Sequence, residues 1–413
     1  MIKRNATVLF LLLAGLLVLG LAGCEKKTPG VTKTEIKIGH INPYSGPASA
    51  YGTIGRTEAA YFKMLNEEGG INGRKINFIS YDDGYSPPKT VEQARKLVEQ
   101  DNVLLIFQSL GTPTNSAIWQ YMNDKKVPQL FVATGASKWN DPQGHPWTMG
   151  WQPNYQTEAK IYARYVVQNI PGAKIGILYQ NDDYGKDYLT GFKAGLEANI
   201  ASAGLSGDKA PKIVMEQSYE VSEPTIDSEV VNLKNSGANV LVNITTPKFA
   251  AQAVKKVADL GWHPTQFLNN VSISIDSVMK PAGLDASNGI ISTAYLKDPD
   301  DAEWKDDASI AKWREFMQKY YPDGSLHSGN NVFGYTVAQT LVQVLKQAGD
   351  NLTRENVMKE AANLKDFEVS TLLPGIKINT SPTDFAPIEQ MQLQKFDGKK
   401  GAWVRFGEVL GAN

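Results

Sequence analysis

The sequence predicts an α/β protein built from two doubly wound parallel-sheet lobes. Short apolar runs alternate with helical patterns from residue 35 onward, and such alternation is typical of a parallel sheet covered by helices on both faces. The alternation breaks over Lys138–Tyr155, a segment rich in tryptophan and proline, and then restarts. The length of 413 residues is ample for two domains. These three observations predict two similar lobes joined by a crossover.

The individual elements follow from apolar runs for strands and from one-sided apolar spacing for helices. Before the crossover, strands are predicted at Glu35–Ile41, Lys75–Tyr81, Leu104–Phe107 and Val127–Val132, and helices at Tyr51–Glu68, at Pro88–Gln100 and from near Thr112. After it, strands are predicted at Lys174–Tyr179, Ile213–Tyr219, Val240–Ile244, Gln266–Leu268 and Gly289–Thr293, and helices at Tyr155–Asn169, Lys186–Asn199, Ile226–Asn235 and Lys248–Leu260.

The last third of the chain is predicted to visit both lobes. Three helices are expected to rejoin the first lobe: Ala308–Tyr320, Asn331–Ala348 and Arg354–Leu364. Two final strands, near Gln390–Phe396 and Ala402–Phe406, are expected to belong to the second lobe.

The stretch Leu104–Ser137 reads as a strand–helix–strand unit and predicts a ligand site. Loops that leave the carboxyl ends of parallel strands line the ligand crevice, so Ser109–Thr114 and Ala133–Ser137 should face the same space. Both loops are rich in glycine, serine and threonine. Thr112 or Thr114 is a plausible N-cap of the helix between them, and the positive end of that helix favours a small carboxylate as the guest.

The N-terminus predicts export and a lipid anchor. Lys3 and Arg4 precede an uncharged apolar run that ends in Leu-Ala-Gly-Cys at Cys24, which resembles the bacterial lipobox. This indicates a lipoprotein signal peptide over residues 1–23, a lipidated Cys24 and a tether over residues 24–33. A plain export signal or a transmembrane anchor is the alternative. Cys24 is the only cysteine, so a disulfide and a cysteine metal cluster are excluded.

Composition and motifs argue against nucleic acid, metal and catalysis. The net charge is -1, and no basic run follows the N-terminus. The four histidines show no ligand spacing, and neither Asp82-Asp83 nor Asn181-Asp182-Asp183 continues as a calcium loop. No G-x-S-x-G, H-E-x-x-H, P-loop or G-x-G-x-x-G motif is present, so neither a cofactor nor an enzymatic reaction is predicted.

Several stretches together resemble the substrate-binding proteins of branched-chain amino-acid ABC transporters, which are type I periplasmic binding proteins. They are IKIGHINPYSGPASAYG, NEEGGINGRKINFISYDDGYSPPKTVEQARKLVEQDNV, QSLGTPTNSA, VPQLFVATGAS and YQNDDYGKDYLTGF. The resemblance implies two lobes joined by three crossovers that close on a small ligand, here residues 34–155 plus 293–388 and residues 156–292 plus 389–413. It further implies a monomer outside the cytoplasm, in the periplasm or at the cell surface, with an ABC permease as partner.

The resemblance also implies a set of ligand-binding residues. In the first lobe, Tyr51 matches a cleft tyrosine, Thr112 a hydroxyl that binds the ligand carboxylate, and Ala133 and Gly135 a loop that supplies backbone groups. Gly135 lacks the hydroxyl found there in the family, so Thr134 or Ser137 is expected to replace it. Tyr184 matches an aromatic wall from the second lobe, where Asn270–Ser272 are expected to close on the ligand.

Two departures from the family pattern predict the ligand class. Val271 stands where amino-acid binders carry an acidic partner for the ammonium group, and Thr246 stands where a tyrosine is common. Loss of a buried charge partner costs about 2–5 kcal/mol of binding free energy. The sequence therefore favours an organic acid without an ammonium group, an aromatic carboxylate above all. An amino acid, or a sensor that uses the same cleft, remains the alternative.

Overall fold

The computed structural model describes residues 28–411 and shows twelve strands within them, arranged in two sheets. The first sheet has the order β2-β1-β3-β4-β5 and consists of β1 (Glu35–Asn42), β2 (Lys75–Asp82), β3 (Leu105–Phe107), β4 (Gln129–Val132) and β5 (Thr148–Gly150). The second has the order β12-β11-β10-β9-β8-β6-β7 and consists of β6 (Lys174–Gln180), β7 (Lys212–Tyr219), β8 (Val240–Ile244), β9 (Thr265–Leu268), β10 (Ile291–Ala294), β11 (Met391–Asp397) and β12 (Ala402–Leu410).

Helices connect most of these strands. They are α1 (Gly52–Glu67), α2 (Pro87–Arg95), α3 (Thr112–Asp124), α4 (Tyr155–Asn169), α5 (Asp183–Ser202), α6 (Asp227–Asn235), α7 (Pro247–Asp259), α8 (Lys280–Ala282), α9 (Leu284–Ser287), α10 (Ala308–Tyr320), α11 (Gly329–Ala348) and α12 (Arg354–Ala361). Short 3-10 or π turns lie at Ser49–Tyr51, Lys96–Gln100, Ser137–Trp139, Gly207–Lys209, Asn270–Ser272, Ile275–Met279 and Ala302–Trp304.

The strand pairing confirms the predicted fold class. All five strands of the first sheet are parallel, and in the second sheet β7, β6, β8, β9 and β10 are parallel as well. Every residue of β3, β4 and β8 is buried, as expected for strands covered on both faces. Among the described strands, the antiparallel pairings are β10 with β11 and β11 with β12, so β11 and β12 form a hairpin added at one edge of the second sheet.

The returning helices pack beside the first sheet, as expected. On α1, the Tyr61 ring lies 6.1 Å from that of Phe316 on α10, and Thr57 Oγ1 donates to Asn331 Oδ1 of α11 at 3.0 Å. On α12, Arg354 Nη2 donates to the carbonyl of Val103 at 2.7 Å. The chain thus passes from the first sheet to the second, back to the first, and finally to β11 and β12. These are three crossovers.

Two local predictions need correction. The segment 138–155 is not only a crossover, because its residues Thr148–Gly150 form β5 at the edge of the first sheet. The last strand extends to Leu410, four residues beyond the prediction, because the pairing with β11 continues past an irregularity between Gln392 and Gln394. Both β5 and the extension of β12 depend on pairing with a neighbouring strand, and the local amino-acid composition does not indicate that pairing.

The predicted signal peptide and Cys24 lie outside the described residues. Of the predicted tether, residues 28–33 are described, and they run against the first sheet, where Lys37 N donates to the carbonyl of Gly30 at 2.7 Å. Within residues 28–411, none of the helices combines the length and the apolar character needed to span a bilayer.

Candidate functional site

A cavity of about 110 Å3 lies between the carboxyl ends of the two sheets. The first sheet contributes the loops that follow β1, β2, β3 and β4, and the second contributes those that follow β6, β8, β9 and β10. This is the position that parallel sheets provide for a ligand, because every loop leaving a carboxyl end opens to the same side. Seven predicted site residues line the cavity: Tyr51, Thr112, Ala133, Tyr184, Thr246, Asn270 and Val271.

The first helical turn of α3 forms one end of the cavity. Gly111 is the N-cap, with a φ of 101°, and no side chain caps the helix. The threonine N-cap considered from the sequence is therefore wrong: Thr112 is the first helical residue, and Thr114 Oγ1 donates back to the carbonyls of Leu110 and Gly111. The first N–H groups of a helix have no intrahelical acceptor, so those of Thr112 and Thr114 remain available to an anion, whereas Pro113 between them has no N–H.

A pair of hydroxyl groups stands beside that helix start. The Oγ1 atoms of Thr112 and Thr134 are 2.6 Å apart, and both side chains are buried. Trp139 Nε1 donates to Thr134 Oγ1 at 3.3 Å and fixes its position. The Thr112 hydroxyl, which Thr134 orients, and the helix N-terminus supply hydrogen-bond donors without a cationic side chain, which suits one small carboxylate group.

Thr134, Gly135 and Ser137 do not line the cavity. Thr134 lies behind Thr112, and the carbonyl of Gly135 accepts from Tyr155 N at 2.8 Å. Ser137 instead contacts helix α5, because its N–H and Oγ donate to the two carboxylate oxygens of Asp187 at 2.8 and 2.6 Å. A direct ligand contact by these three residues stays a prediction.

Aromatic side chains form the wall of the cavity: Tyr51, Tyr85, Tyr155, Tyr184, Tyr295 and Phe333. The rings of Tyr155 and Tyr184 meet edge to face at 5.5 Å, and Tyr51 Oη donates to the carbonyl of Val271 at 3.0 Å. Burial raises the pKa of Tyr155 to about 12, and it raises the pKa values of Tyr51 and Tyr184 well above the usual range. The hydroxyls therefore stay protonated, as donors.

Tyr184 is distinctive in this wall. It is buried, it lines the cavity, and its hydroxyl has no hydrogen-bond partner among the described residues. An unpaired buried hydroxyl carries a free-energy penalty of about 1–3 kcal/mol. A polar atom of a ligand in the cavity would remove that penalty.

The part of the cavity formed by Asn270 and Val271, after β9, is held in place by the buried side chain of Glu158 on α4. Glu158 Oε1 accepts from Asn270 N at 2.8 Å, and the same carboxylate accepts from the hydroxyls of Tyr162 and Tyr188. Burial raises the pKa of Glu158 to about 7, although these three hydrogen bonds act in the opposite direction. The position of Asn270 and Val271 thus depends on a group outside the cavity.

Sequence reasoning missed several lining residues. Tyr85 and Tyr295 follow the ends of β2 and β10, so the strand-end rule would have found them had every strand end been searched for aromatic residues. Lys297 and Asp298, also beyond β10, are the charged side chains among the described lining residues. Within residues 28–411, no group of three or more His, Cys, Asp or Glu side chains is placed to hold a metal ion.

Comparison with known proteins agrees with this fold. A family model for periplasmic binding proteins matches residues 35–402. Leu/Ile/Val-binding protein homolog 1 of Brucella abortus is 24% identical over 340 residues, which cover 81% of this chain and 85% of that protein. An amino acid binding protein of Pseudomonas aeruginosa is 22% identical over 349 residues, which cover 82% and 84%.

Solved structures show the same architecture. A branched chain amino acid ABC transporter protein from Thermus thermophilus, with bound valine, superposes with a TM-score of 0.80 at 17% identity, covering 92% of this chain and 97% of that one. A fatty acid ABC transporter substrate-binding protein from Thermomonospora curvata gives a TM-score of 0.78 at 23% identity, covering 94% and 95%. At these identities the likeness establishes the fold.

Proposed function

The chain belongs to the periplasmic binding protein family, and from this premise we propose that it captures a small organic acid, with an aromatic carboxylate favoured, and delivers it to an ABC permease. It is a solute-binding protein, as its relatives are, and not an enzyme. One observation carries the proposal: the Thr112 hydroxyl lines the cavity at the uncapped start of α3, 2.6 Å from the Thr134 hydroxyl, and this arrangement is suited to a carboxylate.

Other features support this ligand class. The tyrosine wall offers flat apolar area and hydroxyl donors to a ring. Val271, at the position where an ammonium partner is expected, presents an apolar side chain. Among the structural neighbours, one is named for fatty acids and another holds valine, and both of these ligand classes carry a carboxylate. The amino acid named by several relatives is the competing ligand.

A ligand screen on the protein without residues 1–24 tests the proposal. We expect cinnamate, benzoate or octanoate to raise the melting temperature, because a ligand at about 100 times its dissociation constant adds about 2.7 kcal/mol of stability. Thr112→Val should weaken binding of the responding acid by about 1–3 kcal/mol in calorimetry, since the carboxylate loses a donor.

Thr190→Val is the matched control for that variant. Its exposed hydroxyl lies on α5, donates to the carbonyl of Lys186 at 2.8 Å, and does not line the cavity. It should leave the affinity unchanged. A response to leucine or valine alone would replace the proposed ligand by an amino acid.

Tyr184→Phe should weaken binding of the same acid about tenfold, because its hydroxyl has no other partner in the described protein. The melting temperature of the free protein should stay the same or rise. Tyr188→Phe should lower the melting temperature of the free protein, since its hydroxyl donates to Glu158. It should leave the affinity unchanged, because Tyr188 lies outside the cavity. Equal affinity of Tyr184→Phe and wild type would remove this hydroxyl from the site.

We further propose that residues 1–23 are a lipoprotein signal peptide, and that Cys24 carries the lipid that anchors the protein outside the cytoplasm, through residues 24–33. Residues 34–155 with 293–388 and residues 156–292 with 389–413 would then form the lobes of a monomer that close on the ligand. Cys24→Ser should move the protein from the membrane fraction to the soluble fraction. Retention in the membrane fraction would contradict the anchor.

A further inference from the structure

One wall of the cavity crosses four neighbouring strand ends of the second sheet. In sheet order these are β6, β8, β9 and β10, and the loops after them carry Tyr184, Thr246, Asn270 and Asp298. Adjacent strands lie about 4.8 Å apart, so three steps separate the first and last loops by roughly 14 Å. The wall is therefore longer than one carboxylate subsite requires.

The carboxylate subsite lies at the β6 side of this wall. Ser116 Oγ of α3 donates to the carbonyl of Thr112 at 2.8 Å and to Asp183 Oδ2 at 3.0 Å. Asp183 is the first residue of α5, the helix that follows β6. Thr112 thus belongs to the end of the cavity near Tyr184, and Asp298, which follows β10, belongs to the other end. Asn330 in the first turn of α11 also lines the cavity.

The carboxylate of Asp298 is half-buried and has no ion-pair partner among the described residues. Its Oδ1 accepts a hydrogen bond from Asp300 N at 2.8 Å. The two nearby cationic side chains are engaged elsewhere: Lys297 Nζ lies 2.7 Å from Asp307 Oδ2 and 3.1 Å from Ser309 Oγ, and His327 Nδ1 lies 2.7 Å from Asp300 Oδ1. Asp298 therefore retains acceptor capacity that faces the cavity.

The electrostatic surroundings of Asp298 agree with an unfilled acceptor. Burial raises the pKa of Asp298 to about 7, with the negative charges of Asp300 and Asp301 acting in the same direction and the hydrogen bond from Asp300 N and the nearby His327 acting in the opposite one. A cation or a strong hydrogen-bond donor placed at this carboxylate would stabilise its ionised form.

We propose that Asp298 forms a second polar subsite, which binds a hydrogen-bond donor, and most tightly a protonated amine, at the end of the ligand remote from its carboxylate. This inference rests on the proposed function, since it takes the carboxylate to sit at Thr112. The ligand class is then an elongated organic acid with a donor at the opposite end. The α-ammonium group of an amino acid does not meet this description, because it is one carbon from the carboxylate.

Calorimetry with cinnamate and 4-(aminomethyl)cinnamate tests the subsite. At pH 8, above the pKa of Asp298, the wild type should bind the amine-bearing acid at least tenfold more tightly, and Asp298→Asn should abolish that preference while leaving cinnamate affinity unchanged. The shorter pair, benzoate and 4-(aminomethyl)benzoate, should show a smaller preference, because the amine does not reach across the wall.

Asp300→Asn is the matched control. It removes a carboxylate two residues away that pairs with His327 and does not line the cavity, so the preference should persist. If the acids bind but wild type shows no preference, or if Asp298→Asn keeps it, the subsite is refuted while the proposed function stands. Tighter binding of 4-carboxycinnamate than of cinnamate would likewise refute it, in favour of an anion subsite at the start of α11. If no carboxylic acid binds, both proposals fall together.

Discussion

Gly111→Ala is expected to abolish binding of the organic acid. Gly111 has a φ of 101°, a conformation that residues with a side chain avoid. A Cβ atom there would lie 2.5 Å from the ring of Tyr85 and 2.6 Å from Thr114 Oγ1. Both neighbours would have to move. The start of α3, which supplies the free N–H groups and Thr112, would move with them, and calorimetry should detect no binding.

The close packing at Gly111 also involves a strained backbone at Tyr85. Tyr85 itself has a φ of 62°, which is rare for a bulky residue, and its ring lines the cavity. Non-glycine residues in this region store about 1–3 kcal/mol of strain and persist where their surroundings hold them. The close packing of the Tyr85 ring against Gly111 helps to hold Tyr85 in this strained conformation. The loops after β2 and β3 therefore position one another.

Gly283→Ala separates this steric effect from backbone strain. Gly283 has nearly the same φ, 100°, and a Cβ there would meet only Ala286 Cβ, at 3.7 Å. It lies between α8 and α9, outside the cavity. Both alanine variants should lower the melting temperature, but only Gly111→Ala should lose the ligand. Normal binding by Gly111→Ala would show that the loop tolerates displacement and that the start of α3 does not hold the carboxylate.

Glu158→Gln is expected to change how stability depends on pH. An ordinary glutamate titrates near 4.5, whereas the pKa of Glu158 is raised to about 7. Between these values the unfolded chain releases the proton and the folded protein retains it, so the free energy of unfolding falls as pH rises. The difference of about 2.5 pH units corresponds to about 3 kcal/mol. That part of the pH dependence should be absent from Glu158→Gln.

Urea unfolding of both proteins between pH 4 and pH 8 measures this effect. The stability of wild type relative to Glu158→Gln should decrease by about 3 kcal/mol across the range, and all other titrating groups cancel in the comparison. Glu92→Gln removes an exposed carboxylate of α2 and should follow the wild-type curve throughout. Parallel curves for wild type and Glu158→Gln would mean that Glu158 titrates alike in the folded and unfolded states.

Much of the fold was predictable because its signals are local. The apolar runs of β3, β4 and β8 are fully buried in the structure, and a run of consecutive apolar residues is what a strand covered on both faces requires. The loops that follow such strands open to one side of a parallel sheet. Tyr51, Thr112, Ala133 and Tyr184 could therefore be placed at one cavity from the sequence and the family resemblance.

The sequence by itself determined the two lobes and the cleft between strand ends, because strand and helix periodicities are properties of neighbouring residues. The three crossovers were expected from the family resemblance. The tertiary structure alone decided which distant residues share a wall. Asp298 faces the same cavity as Tyr184 because the sheet order β6-β8-β9-β10 aligns their loops, and Ser137 meets Asp187 because α5 packs against the first sheet's loops. Strand order and such contacts depend on packing between residues that are distant in the sequence, and no periodic pattern of residues indicates them.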